Sequence, residues 1–83
     1  DSWQDRLAGY FVGKISLEEL KTHAQNLGHR VESDYYGAII ALSQGKKEEA
    51  QKMLNAVIES NLLGFFEYKM AKTLLIELSA ESK

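Results

Sequence analysis

Cysteine and proline are both absent from this chain of 83 residues. Without cysteine the fold uses neither disulfide bonds nor thiolate metal sites. Long apolar runs are lacking as well, because the longest candidate, around Leu74–Ile76, is interrupted by charged residues. A membrane span needs about 18 apolar residues, so we expect no membrane insertion by this segment.

Positive and negative side chains are nearly balanced, with a small excess of negative charge. Lys plus Arg number 10 and Asp plus Glu number 12, which gives a formal net charge of −2. Because phosphate binding usually needs a basic face, this balance argues against nucleic acid as the main ligand. The apolar share of 45% is ordinary for a globular protein, and the length predicts a single domain.

An initiating methionine and a signal-like segment are also absent, since the sequence begins at Asp1. We therefore expect an excised fragment whose targeting signal, if the parent has one, lies outside these residues. The compartment, cytoplasmic or periplasmic, cannot be predicted from the chain.

Four glycines divide the chain: Gly13, Gly28, Gly45 and Gly64. Glycine reaches the left-handed conformation at little steric cost, so these positions predict helix ends. No long segment shows the alternation of apolar and polar residues that is typical of a β-strand. The sequence therefore predicts five helices and no strand. The first four helices are predicted over Ser2–Val12, Ser16–Leu27, Arg30–Gln44 and Lys47–Ser60. The fifth is predicted to begin at Gly64 or Phe65 and to end at Leu78, and the tail from Ser79 to Lys83 is expected to fray.

Apolar side chains recur at helical period in each predicted helix. The third helix is the most apolar, so we expect it to be central, with neighbours on two sides. Ser16 opens the second helix with the S-L-E-E pattern of a capping box. The main stripes are Trp3, Leu7, Tyr10 and Phe11 in the first helix, Leu17, Leu20, Ala24 and Leu27 in the second, Ala50, Met53, Leu54, Val57 and Ile58 in the fourth, and Phe66, Met70, Leu74 and Leu78 in the fifth.

Equivalent residues recur at a separation of 32 or 33 positions. The short connections at Gly13 and Gly45 predict antiparallel hairpins of the first helix with the second and of the third with the fourth. A helix-turn-helix unit with this period is typical of a tetratricopeptide array. The recurring sets are Trp3, Tyr35 and Tyr68, then Tyr10, Leu42 and Leu75, and Gly13-Lys14 with Gly45-Lys46.

The segment from Val31 to about Gly64 resembles one tetratricopeptide repeat. Its most specific part is the G-K-K-E-E-A turn from Gly45 to Ala50, whereas the order Gly37-Ala38 departs from the family pattern. The last helix is similar to the closing helix of bacterial proteins of this kind. The resemblance implies an all-α, tetratricopeptide-like stack of antiparallel hairpins, with a degenerate hairpin over 1–28, the best repeat over 30–62 and a closing helix over 64–79.

The resemblance also implies a function: a non-catalytic protein-binding or scaffold module of a larger bacterial protein, with a protein or peptide partner and no cofactor. In such arrays the first helix of each hairpin lines a groove that holds a partner segment. A self-association or solenoid-capping segment, or a helical nucleic-acid-binding regulatory domain, stays open as an alternative. The groove residues expected from the resemblance are Glu32, Tyr36, Ser43, Lys69 and Lys72.

Tyr35 and Tyr36 are adjacent, and adjacent side chains on a helix point about 100° apart. One ring therefore belongs to the core, and Tyr36 is the ring of the two that is expected nearer to a groove. For Tyr36 itself core burial is the favoured interpretation, and contact with a partner is the alternative. Ile76 lies off the main stripe of the last helix, which indicates a further helix or subunit packed there.

No residue pattern predicts catalysis or metal binding. His23 and His29 are the only histidines, with His29 expected in the loop after Gly28, and they form no H-E-x-x-H motif. A G-x-S-x-G elbow is missing too. The pairs Glu18-Glu19 and Glu48-Glu49 stand just inside helix starts, where they complement the helix dipole. We therefore predict neither a catalytic site nor a metal site.

Overall fold

The computed structural model describes residues 2–60 and 66–81, and these residues form five helices without a strand among them. The prediction of an all-α helical stack is confirmed. The helices are α1 (Trp3–Phe11), α2 (Leu17–Thr22), α3 (Leu27–Ser43), α4 (Lys47–Glu59) and α5 (Phe66–Glu81).

Serine side chains start the first two helices. Ser16 Oγ accepts a hydrogen bond from the Glu19 N–H at 3.1 Å, as the S-L-E-E pattern predicts. The fully reciprocal capping box lies at α1, where Ser2 Oγ accepts from the Asp5 N–H and the Asp5 carboxylate accepts from the Ser2 N–H. Both starts are thus fixed by local sequence.

The predicted boundary between α2 and α3 is wrong. The second helix does not reach Leu27; it ends at Thr22, and α3 already begins at Leu27. Asn26 Oδ1 accepts from the His29 N–H at 2.8 Å and caps α3. Gly28 and His29 therefore lie in the first turn of α3, neither as a helix end nor in a loop. The asparagine cap explains the difference, because it starts a helix before the glycine is reached.

Two glycines of the described residues have positive φ, and they close α1 and α3 in the same way. Gly13 has φ 82° and Gly45 has φ 77°. At each site the N–H of the residue after glycine donates to a carbonyl five residues earlier, Lys14 to Gly9 at 2.8 Å and Lys46 to Ala41 at 2.9 Å. Together with the glycine N–H bonds to the carbonyls three residues back, this is the Schellman arrangement. The prediction of helix ends at Gly13 and Gly45 is confirmed.

The main core lies between α3, α4 and α5. Among the described residues, the buried members of this core come from these three helices. Because α3 also packs on α1 and α2, its predicted central position is confirmed. The stripe predicted for α4 is buried at Ala50, Leu54 and Val57. The cluster comprises Val31, Tyr35, Ala38, Ala41, Ala50, Leu54, Val57, Ala71 and Leu78.

The last helix extends beyond its predicted end. Its described part spans Phe66–Glu81, so residues Ser79 to Glu81, which were expected to fray, are helical. Phe66, predicted on the core stripe, is 62% exposed, whereas Ala71 and Leu78 are buried. Gly64 and Phe65, named as alternative starts, lie outside the described residues. In the part of the chain that the structure describes, no helix is long and apolar enough to cross a membrane.

Gly37 lets three helices approach closely. A Cβ at this position of α3 would lie 2.9 Å from the sulfur of Met53 in α4 and 3.2 Å from a methyl carbon of Leu17 in α2. Gly37 is buried. Because glycine has no Cβ, the side chains of Met53 and Leu17 can occupy the space beside it. The unusual order Gly37-Ala38 therefore has a packing reason.

Candidate functional site

One stripe of α3 lies between α1 and α5. Glu32, Tyr36, Ile39 and Ser43 follow one another at intervals of four, three and four residues, which places them on one side of the helix. Both α1 and α5 pack on α3, yet among the described residues no Cα atom of α1 lies within 8 Å of one in α5. These two helices therefore leave the stripe uncovered between them, with Ser43 exposed and the other three side chains partly buried.

The first flank of this stripe is formed by α1. The indole Nε1 of Trp3 donates a hydrogen bond to Oε1 of Glu32 at 3.0 Å. The same indole stacks on the ring of His29, with centroids 4.3 Å apart and an angle of 8° between the planes. At the other end of α1, the ring of Phe11 meets Tyr36 edge-on at 5.1 Å. These contacts hold α1 against Glu32 and Tyr36.

Tyr36 is the centre of the aromatic contacts. Its ring meets Tyr35 at 5.1 Å with an angle of 74° between the planes. Tyr35 is 6% exposed and belongs to the core, while Tyr36 is only partly buried. Tyr36 is therefore the more accessible of the two rings, and it still packs against the core cluster. Phe11, at 42% exposure, extends the aromatic surface from Tyr36 to α1.

The second flank carries negative charge from α5. Burial raises the pKa of Tyr36, and the nearby carboxylates of Glu67 and Glu32 raise it further. Burial and Glu67 likewise raise the pKa of Tyr35. A phenol resists ionisation where negative charges already surround it, so these shifts indicate an acidic environment around the rings. We call the surface formed by Phe11, Glu32, Tyr36, Ile39, Ser43 and Glu67 the open face.

The predicted groove residues divide into two groups. Glu32, Tyr36 and Ser43 share the stripe of α3, although the Ser43 hydroxyl donates to the Ile40 carbonyl at 2.6 Å. Lys69 and Lys72 are exposed on α5. They follow Glu67 by two and five positions, which puts them about 200° and 140° around the helix from it. Both lysines therefore lie on other sides of α5 than Glu67.

Phe11 and Glu67 belong to the open face but were not predicted there. Phe11 fits the apolar stripe of α1, and Glu67 fits the acidic first turn of α5. Only the packing of these helices against α3 brings both residues to Tyr36. Local periodicity could have found neither contact, because it does not specify which helices are neighbours.

A separate, polar cavity of about 240 Å³ lies where the start of α1 meets the end of α2 and the start of α3. His29 Nδ1 accepts from the Gln25 N–H at 3.1 Å there, while His23 caps the end of α2 and is exposed. Over residues 2–60 and 66–81, no three His, Cys, Asp or Glu side chains are grouped so that they could hold a metal ion. The lining residues of the cavity are Ser2, Trp3, Arg6, His23, Gln25 and His29.

Comparisons of the chain with protein-family models, with curated proteins and with solved structures found no significant match. The tetratricopeptide resemblance therefore stays a prediction from the residues. What the chain does has to be inferred from its own geometry.

Proposed function

We propose that this chain is a non-catalytic protein-binding module, built like a tetratricopeptide array, whose open face receives a segment of a partner protein. The observation that carries the proposal is the stripe of Glu32, Tyr36 and Ile39, which the described helices α1 and α5 leave uncovered between them. In helical-hairpin arrays the corresponding helices line the concave binding surface.

The matching turns support the repeat architecture. Gly13 and Gly45 stand 32 residues apart, both have positive φ, and both are followed by a lysine whose N–H closes the same hydrogen-bonded turn. Two hairpin turns with equal geometry at this spacing favour a repeated unit. Under the proposal, α1, α3 and α5 are equivalent first helices, while α2 and α4 form the outer layer.

The aromatic composition of the open face supports binding. Tyr36 and Phe11 each keep part of a ring accessible. Aromatic rings supply large contact areas at a low cost in side-chain entropy, and tyrosine adds a polar hydroxyl. A partner that covers these rings gains apolar burial without unfolding any part of the described chain.

The experiment is a comparison of two alanine variants. A protein captured by the immobilised chain from its source organism is purified, and its affinity is measured for the wild type, Tyr36→Ala and Ile76→Ala, with circular dichroism checking the fold. Ile76 is a matched control, because it is 68% exposed on α5 but lies on the side away from Glu67. We expect Tyr36→Ala to weaken binding about tenfold or more and Ile76→Ala to leave it unchanged. Equal affinity of all three proteins would contradict the proposal.

Self-association or capping of a longer solenoid is the second candidate function. The observation that favours it is the exposure of two large apolar side chains on α5, Phe66 at 62% and Ile76 at 68%. Sedimentation equilibrium tests it: a concentration-dependent mass that Ile76→Ala abolishes supports this alternative, and a constant monomer mass contradicts it.

A further inference from the structure

Two carboxylates from different helices act electrostatically on Tyr36. Glu32 precedes Tyr36 by one turn of α3, and Glu67 lies in the first turn of α5, which packs on α3. We infer that the open face selects a basic segment of the partner, with a lysine or arginine side chain lying over Tyr36 between Glu32 and Glu67. The inference rests on the protein-binding role proposed above and specifies the chemistry of the partner.

Glu32 retains capacity for a cationic partner. Its Oε1 accepts from the Trp3 indole at 3.0 Å, and this bond orients the carboxylate. An ionised carboxylate offers two oxygens and about four lone-pair sites, so one indole donor does not saturate it. Trp3 therefore acts as a positioning residue for Glu32, and the second oxygen is left for an ammonium or guanidinium group.

The aromatic rings favour the same kind of partner. A cation within about 6 Å of a ring centroid is attracted by the negative face of the ring. Tyr36 meets both Tyr35 and Phe11 in edge-on geometry. A guanidinium group over Tyr36 thus gains attraction from the ring and from both carboxylates, while its alkyl stem can pack on Phe11.

The lysines of α5 lie on other sides of that helix than Glu67. Lys69 and Lys72 lie about 200° and 140° around α5 from Glu67. Lys21 pairs with Asp34 at 3.1 Å, and Asp34 lies about 200° around α3 from Glu32. An acidic face repels acidic peptides and phosphate groups and attracts basic segments, which makes charge the basis of selection.

The test uses three fluorescein-labelled peptides of equal length in which leucine alternates with arginine, with serine or with glutamate. Binding to the 83-residue chain is measured by anisotropy, and the binding site is mapped by amide chemical shifts in nuclear magnetic resonance. The variants are Glu32→Gln, which keeps an acceptor for Trp3, and Glu67→Gln. The matched control is Glu59→Gln, which removes the same charge from an exposed position of α4, outside the open face.

We expect the arginine peptide to bind most tightly and to shift the amides of Phe11, Glu32, Tyr36 and Glu67. The Glu32→Gln/Glu67→Gln double variant should weaken this binding about tenfold, and Glu59→Gln should change it less than twofold. Equal or tighter binding of the serine or glutamate peptide at these residues overturns the basic selectivity and leaves the protein-binding role intact. If no peptide shifts these amides, both the selectivity and the proposed role are contradicted.

Discussion

The indole Nε1 of Trp3 donates to Oε1 of Glu32 at 3.0 Å across 29 positions of sequence. The bond links α1 to α3 through Glu32. The negative charge of Glu32 also helps to raise the pKa of Tyr36. Glu32 therefore acts in the packing of α1 and in the electrostatics of the open face. The two roles can be separated by one substitution at Glu32 that keeps an acceptor for the Trp3 indole and one that removes it.

Glu32→Ala should destabilise the chain, whereas Glu32→Gln should not. Alanine leaves the partly buried Trp3 indole without its acceptor, which costs about 1 kcal/mol. Urea unfolding followed by the fluorescence of Trp3, the single tryptophan, measures the difference directly. Equal losses of unfolding free energy in both variants would show that the indole bond contributes nothing.

Asn26→Ala should lower the unfolding free energy by about 1 kcal/mol, because the asparagine caps α3. Asn55→Ala is the control, since Asn55 is exposed inside α4, where alanine is the better helix former. Urea denaturation of both variants gives the comparison. The cap is refuted if the loss for Asn26→Ala does not exceed that for Asn55→Ala.

Local sequence was sufficient where one signal acted alone. Gly13 and Gly45 end their helices because only glycine readily takes the positive φ of these turns. At Gly28 two signals competed, and Asn26 started α3 before the glycine could end α2. Leu27 reinforced the error: it continues the apolar spacing of α2, yet it is 47% exposed at the start of α3.

The candidate site could be predicted only within one helix. Glu32, Tyr36 and Ser43 share a side of α3, and helical period alone gives that relation. Phe11 and Glu67 reach Tyr36 through the packing of separate helices, which periodicity does not specify. Lys69 and Lys72 were placed near the groove by resemblance, but the rotation of α5 directs them away from Glu67.

Hydrogen exchange should be faster in α1 and α2 than in the middle of α3 and α4. Among the described residues, the buried members of the core cluster belong to α3, α4 and α5. In addition, α2 is short, with 6 residues. Few buried contacts make local opening of the first hairpin less costly than opening of the core. Amide exchange measured residue by residue checks this order. Equal protection in both hairpins would indicate that the whole stack opens as one unit.

Stability should fall above pH 10, and Tyr36→Phe should reduce that fall. The pKa of Tyr36 is raised above 10.0 by burial, Glu67 and Glu32, so the folded chain holds this proton more tightly than the unfolded chain. The corresponding stabilisation is fully present below the unfolded pKa and is lost as pH rises through the folded one. Tyrosinate absorbance and urea unfolding across this range provide the measurement. An unchanged pH dependence in Tyr36→Phe would assign the effect to Tyr10 and Tyr35 instead.

Photo-crosslinking in cells of the source organism tests the binding role of the open face most directly. A benzophenone amino acid replaces Tyr36 in one version of the protein and Lys52, exposed on α4, in the other. A covalent adduct with another protein should form at position 36 and not at position 52. Adducts at position 52 alone, or at both positions equally, would contradict a partner bound between α1 and α5.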